Sequence, residues 1–195
     1  MTDVFENYLS TIGGLSAEEI TFAEKFFKPI SLKKGDFFIR EDEPCRYIGF
    51  VASGSVKAYA TDKEGRENIT CFKFENEFAT SFPEFMAQEK SRRSIRAIED
   101  SIIYRISYLD YQYLLGQLAI LNEVIKLVME QEYIQKERYM LNYNNKSAVD
   151  KYLHVLSSEP ILVQRVTTQD LASYLGITQR SLTRAKGQIH RPSIL

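Results

Sequence analysis

Thr168–Gly187, TQDLASYLGITQRSLTRAKG, reads as two short helices joined by a glycine turn. Leu171, Ala172 and Leu175 fall at i, i+1 and i+4, on one face of the first helix. Gly176 tolerates a positive φ, Ile177 plugs the corner, and Thr178 is placed to cap a second helix. In that helix Leu182 and Ala185 keep the inner face apolar, while Gln179, Arg180, Thr183, Arg184 and Lys186 stay outside. Those are donor-rich side chains of the kinds that meet base edges and phosphates. The spacing of Ala172, Gly176, Leu182 and Ala185 lets two helices cross closely, so the segment predicts a helix-turn-helix reader of double-stranded DNA. A helical hairpin packed on another protein would satisfy the same spacing. The alternative is therefore a small-molecule-binding module whose C-terminal helices mediate protein contacts.

Charge favours the first reading. From Gln164 onward there are five Lys/Arg against one Asp, whereas residues 1–108 carry 15 Lys/Arg and 18 Asp/Glu. An acidic body with a basic end is the electrostatic footprint of a nucleic-acid reader, although the whole chain has a net charge of only −1.

Upstream of this segment the pattern changes. Ser16–Glu19 is a capping box opening a short helix to about Phe27. From Ile30 to Ser107, short alternating runs of β-branched and aromatic residues are broken at Lys34–Asp36, Ser53–Gly54, Asp62–Gly65 and Glu99–Asp100. Strands at that spacing predict an all-β sandwich or barrel. Ser107 then caps a long helical region in which Leu114, Leu118, Leu121, Ile125 and Val128 follow a 4-3-4-3 spacing, the expected dimerisation seam. A second stripe, Ile120, Val124, Leu127, Ile134 and Leu141, lies on an adjacent face, so one can rest on the barrel while the other meets a partner. Asn142–Asn145 reads as a break, Lys146–Ser157 as another helix, and Pro160–Val166 as a short extended lead into the helix-turn-helix.

Several chemistries are set aside by composition. His154 and His190 are the only histidines, so the N-terminal half cannot build a histidine metal or acid–base centre, and neither a catalytic nor a metal site is expected. Cys45 and Cys71 stand 26 residues apart without a CxxC and are expected to be reduced. No run of 18 apolar residues predicts a membrane span, and MTDVFENYLS has neither a basic nor an apolar leader region. The expected location is the cytoplasm.

The layout as a whole resembles the Crp/Fnr family of bacterial transcription regulators. Its barrel half rests on Leu32–Asp36 (LKKGD), on Ile48–Gly54 (IGFVASG) followed by Ser55–Tyr59 (SVKAY), and on Arg96–Ser101 (RAIEDS) running into Ile106–Ser107. The resemblance implies an α+β chain, with a cyclic-nucleotide-binding-like jelly roll over 1–107, a dimerisation helix over 108–143 and a helix-turn-helix domain over 144–195. It also implies a homodimer on duplex DNA, contact with RNA polymerase and no enzymatic activity. Carried over residue by residue, base contacts fall on Gln179, Arg180 and Arg184, and phosphate contacts on Thr168, Gln169, Thr178, Ser181 and Lys186. Many relatives place Glu where Arg180 stands, so their target sequences do not transfer. Relatives often continue into a β-hairpin wing, whereas Gly187 and Pro192 argue that the second helix stops early here.

The effector pocket departs from the family pattern. Members that bind cyclic AMP use a Gly-Glu pair and, about ten residues on, an Arg followed by a small hydroxyl residue. Here Thr80–Ser81 and Ser91 stand at those positions, with Arg92 and Arg93 next door. Both charged anchors are missing, which argues against a cyclic nucleotide and leaves another effector or none. An iron–sulfur cluster needs four cysteines and is excluded with two.

Overall fold

The computed structural model describes residues 3–189. The chain divides into two compact units, one of residues 1–61 and 70–130, the other of residues 62–69 and 131–195.

Two four-stranded sheets build the first unit, in strand orders β1-β8-β3-β6 and β2-β7-β4-β5. The strands are β1 (Lys28–Leu32), β2 (Phe37–Ile39), β3 (Tyr47–Ser53), β4 (Val56–Thr61), β5 (Glu67–Lys73), β6 (Phe78–Ala79), β7 (Ser94–Ala97) and β8 (Ser101–Ser107). The turn signals fall where the sequence predicts them. At Gly54, between β3 and β4, φ is +85°, and a Cβ would sit 2.3 Å from Ser101 Oγ and 2.5 Å from the Asp100 carbonyl. Only glycine meets both demands. Between the sheets, Phe38 and Ile103 close on Gly49, where any Cβ would overlap them at 2.6 and 2.5 Å.

Helices cover the other face of the first sheet. Phe5 of α1 (Asp3–Gly13), which the sequence reading does not anticipate, packs on Phe50 and Phe27 with ring centroids 4.8 and 4.6 Å apart. The expected capping box opens α2 (Ala17–Glu24): the Ser16 amide donates to Glu19 Oε2 (2.8 Å) and the Glu19 amide to Ser16 Oγ (3.3 Å). A six-residue α3 (Phe82–Ala87) joins β6 to β7.

The region after Ser107 departs from the predicted single helix. It forms α4 (Tyr108–Gln117), capped by the Ser107 hydroxyl, and α5 (Ile120–Tyr143), with Leu118 between them in an extended conformation. The break turns the expected seam. Leu114 is buried, and Leu118, Leu121, Ile125 and Val128 pack against the core of their own chain. What stays outside is Ile120 (37% exposed), Leu127 (46%), Ile134 (40%) and Leu141 (73%), while Val124 of the same stripe is buried. The expected seam residues Leu114, Leu118, Leu121, Ile125 and Val128 thus have an apolar surface of their own chain to cover.

The second unit is helical. It holds the end of α5, then α6 (Ala148–Ser158), α7 (Pro160–Arg165), α8 (Thr168–Tyr174) and α9 (Gln179–Ile189). α7 replaces the predicted extended segment, because Pro160 occupies the first helical position, where a missing N–H costs nothing. Segment 62–69 joins this unit through Ser173, whose Oγ donates to the Glu67 carbonyl (2.6 Å) and accepts from the Ile69 amide (3.1 Å). The expected absence of a wing concerns residues after Ile189 and lies outside the described ones. Among the described residues no helix is long and apolar enough to cross a membrane.

Candidate nucleic-acid interface

α8 and α9 cross with the inner faces the sequence predicts. Leu171, Ala172 and Leu175 from one helix and Leu182 and Ala185 from the other are all 2% exposed or less. The turn is a Schellman motif. Gly176 has φ +62°, its amide donates to the Ser173 carbonyl, and the Ile177 amide donates to the Ala172 carbonyl, both at 3.0 Å. Thr178 caps α9, accepting from the Ser181 amide at 3.1 Å, and the two hydroxyls meet at 2.9 Å. At the start of α8 the cap is Thr167, which accepts from the Asp170 amide at 3.1 Å and leaves Thr168 just inside the helix.

This frame sorts the candidate contacts. Gln179, Arg180, Thr183 and Arg184 are exposed on one side of α9, and Gln169 and Thr178 are exposed as well. Thr168, Ser181 and Lys186 are half-buried. Lys186 Nζ donates to Thr168 Oγ1 (3.3 Å) and lies 5.5 Å from the Tyr152 ring centre, so the charge sits at the seam of the two helices. Gly187 does not stop α9, which continues to Ile189.

Two features behind the reading face escape the sequence reading. Lys151 of α6 is 9% exposed, and its ammonium donates to the Leu175 carbonyl at 2.8 Å, at the end of α8. Burial lowers its pKa, and a cation there complements the helix C-terminus. The second feature is a tyrosine cluster around one carboxylate. Tyr139 and Tyr143 from α5 and Tyr174 from α8 lie with ring centroids 5.0–5.8 Å apart. The hydroxyls of Tyr143 and Tyr174 both donate to the Glu159 carboxylate, and Tyr139 Oη donates to the Tyr174 carbonyl at 2.5 Å. Burial first, then the adjacent Glu159, pushes the Tyr143 and Tyr174 phenols far above their ordinary range. The i, i+4 pair Tyr139/Tyr143 is visible in sequence, but its meeting with Tyr174 is a tertiary event.

In the first unit, the positions corresponding to a nucleotide cradle are already engaged by the chain itself. Thr80 Oγ1 donates to the Tyr47 carbonyl (2.9 Å) and Ser91 Oγ to the Arg93 carbonyl (2.7 Å). Buried Ser81 donates to Glu84 Oε2 at 2.6 Å, and Arg92 Nε lies 3.6 Å from the other oxygen of that carboxylate. Glu84 thus ties Ser81 to Arg92 within the chain. Arg92 and Arg93 precede β7 in a bend and not in a strand, and Arg92 is exposed while Arg93 is half-buried. Cys45 is buried, and burial raises its thiol pKa against the hydrogen bonds of Thr80 and Ser81, which favours the inert thiol. Among the described residues no group of three His, Cys, Asp or Glu side chains is placed to hold a metal ion.

Residues 29–117 match the cyclic nucleotide-binding domain family. The chain is 25% identical over 195 residues to regulatory protein HlyX of Actinobacillus pleuropneumoniae, covering 93% of this chain and 80% of that protein. It is 24% identical over 181 residues to the fumarate and nitrate reduction regulatory protein of Vibrio cholerae, with 86% and 70% covered. Its fold superposes on a transcriptional regulator of the Crp/Fnr family from Eubacterium rectale with a TM-score of 0.73, at 18% identity, over 94% of this chain and 87% of that one. The fold is that of a Crp/Fnr-family regulator. That likeness of fold covers the two sheets, the connecting helices and the helix-turn-helix.

Proposed function

We propose that this chain is a sequence-specific, DNA-binding transcription regulator of the Crp/Fnr type, acting as a homodimer in the cytoplasm and not as an enzyme. One observation carries the reading: the buried face of α9 fixes it on α8, while Gln179, Arg180, Thr183 and Arg184 share its exposed face. Arginine suits guanine O6 and N7, and glutamine suits adenine N6 and N7. Thr168, Gln169, Thr178, Ser181 and Lys186 flank that face at the two helix starts and the seam, where phosphates would lie. The dimer contact is the heptad Ile120, Leu127, Ile134 and Leu141, an apolar row that would otherwise face water. Two recognition helices about 34 Å apart would then read successive major grooves of a pseudo-palindrome. Contact with RNA polymerase belongs to the same proposal on the resemblance alone. The proposed effector is not a cyclic nucleotide, because Thr80–Ser81 and Ser91 stand in place of both charged anchors and their hydroxyls are bonded within the chain.

Selection of bound duplexes from a random pool, with purified protein and no added ligand, tests the reading. An enriched palindrome is the expected result. No retention even at low salt would refute it, since a protein that neutralises phosphates binds duplex in proportion to counterion release.

A further inference from the structure

The first sheet has two faces with different surroundings. Alternation along β3 turns Gly49 and Val51 toward the second sheet, where Gly49 meets Phe38. Ile48 and Phe50, paired with Ile106 and Tyr104, point the other way, toward the covering helices. That cover is incomplete. Between the sheet, α2, α4 and the first half of α5 lies a cavity of about 100 Å³, walled among others by Phe27, Ile106, Leu114, Val124 and Val128. All of its wall is apolar. Thr80 borders it, but the Thr80 hydroxyl is turned to the Tyr47 carbonyl. It meets the nucleotide cradle at Thr80, but Ser81, Ser91, Arg92 and Arg93 do not line it.

The recess is partly open to solvent, but its wall offers a water molecule no hydrogen-bond partner. An apolar cavity of roughly 150 Å³ stays dry and takes up benzene or xenon. A phosphate or carboxylate would lose its hydration without compensation. We propose that the cavity is a binding site for a neutral, apolar molecule of about single-ring size, such as a monocyclic aromatic or a short hydrocarbon. On the reading of the chain as a regulator, that molecule is its effector. Leu121, Val124 and Val128 of α5 form part of the wall, so an occupant would brace α5 against the sheet.

The test is a methyl NMR titration of the full chain, labelled at Ile, Leu, Val and Met, with toluene, xenon and benzoate as separate probes. Saturable shifts at the methyls of Ile106, Leu121, Val124 and Val128 with toluene and xenon, and none with benzoate, are expected. Ala23→Leu, which adds bulk at the wall, should abolish them. Should that variant fail to fold, the contrast between toluene and benzoate on the parent still decides. Unmoved methyls, or equal shifts with benzoate, overturn the site. Shifts that follow protein concentration and ignore toluene overturn it too, and assign the cavity to a second copy of the chain. Duplex retention on the same samples keeps the two readings apart. Retention without toluene shifts removes the ligand and leaves the regulator, and shifts without retention do the reverse.

Discussion

Gly176→Ala isolates a single energetic contribution at the turn between α8 and α9. Gly176 sits at φ +62°, and a Cβ built there meets no atom within 4 Å. No overlap adds to the penalty, which is confined to placing an L-residue in the left-handed region, about 1–2 kcal/mol. Alanine also narrows the unfolded ensemble and so returns part of this, about 0.4–1 kcal/mol. The hydrogen bonds from the amides of residues 176 and 177 survive, because alanine keeps its N–H. The net loss should be about 1 kcal/mol. At a urea slope of about 2 kcal/mol per molar, the midpoint falls by about 0.5 M. Gly54→Ala is the contrast, since positive φ and overlap with Ser101 Oγ and the Asp100 carbonyl act together there. Its loss should be several-fold larger. Urea unfolding followed by far-ultraviolet circular dichroism measures both, with Gly176→Asn falling between Gly176→Ala and the parent. A Gly176→Ala protein as stable as the parent, or as damaged as Gly54→Ala, would refute the assignment of the penalty to backbone alone.

Further outcomes follow from the same geometry. Arg184→Ala should weaken binding to the selected duplex by about 1–3 kcal/mol and relax one base pair, whereas Lys186→Ala should weaken all duplexes alike and lower the salt slope by about one. Fluorescence anisotropy across a salt series separates the two, and identical behaviour would count against the division into base and phosphate contacts. Leu127→Glu with Ile134→Glu should give a folded monomer by sedimentation, while Leu121→Glu, which faces the core, should unfold the first unit instead. A dimer that survives the double substitution would move the contact elsewhere. The phenols of Tyr143 and Tyr174 are held protonated in the folded chain, so their stabilisation is complete below the unfolded value of about 10 and is lost as pH rises past it. Helix loss should accompany tyrosinate formation above about pH 10 and move upward in a Tyr143→Phe, Tyr174→Phe protein. Tyrosinate appearing at about pH 10 with circular dichroism unchanged would contradict the buried cluster.

The helix-turn-helix was legible in sequence because its constraints are local. Gly176 must turn left-handed, and Ala172, Leu182 and Ala185 must be small or apolar to let two helices touch. The strands were legible for a similar reason, since Gly54 and its counterparts punctuate them. Pro160 misled, because a proline reads equally as a breaker and as a first helical residue, and only its surroundings decide. The two apolar stripes of the connecting helices were both visible, but the break at Leu118 determines which faces the core, and no spacing rule encodes it. Lys151 reads as a solvated side chain until the Leu175 carbonyl is brought to it. Glu84 was equally silent, as a carboxylate reveals its role only beside Ser81 and Arg92.

The tyrosine cluster ties the last turn of α5 to α8, so Tyr139 to Ala185 turns as one piece. The reading helix then inherits its azimuth from α5, and each residue of register along α5 corresponds to about 100° of rotation. The row at 120, 127, 134 and 141 repeats every seven residues, so a pairing slipped by one repeat would return the azimuth to within about 20°. It would also stagger the two reading heads by about 10.5 Å along the axis. Such a slipped pair would keep its apolar contact yet lose its two-fold symmetry, and with it any match to a palindrome.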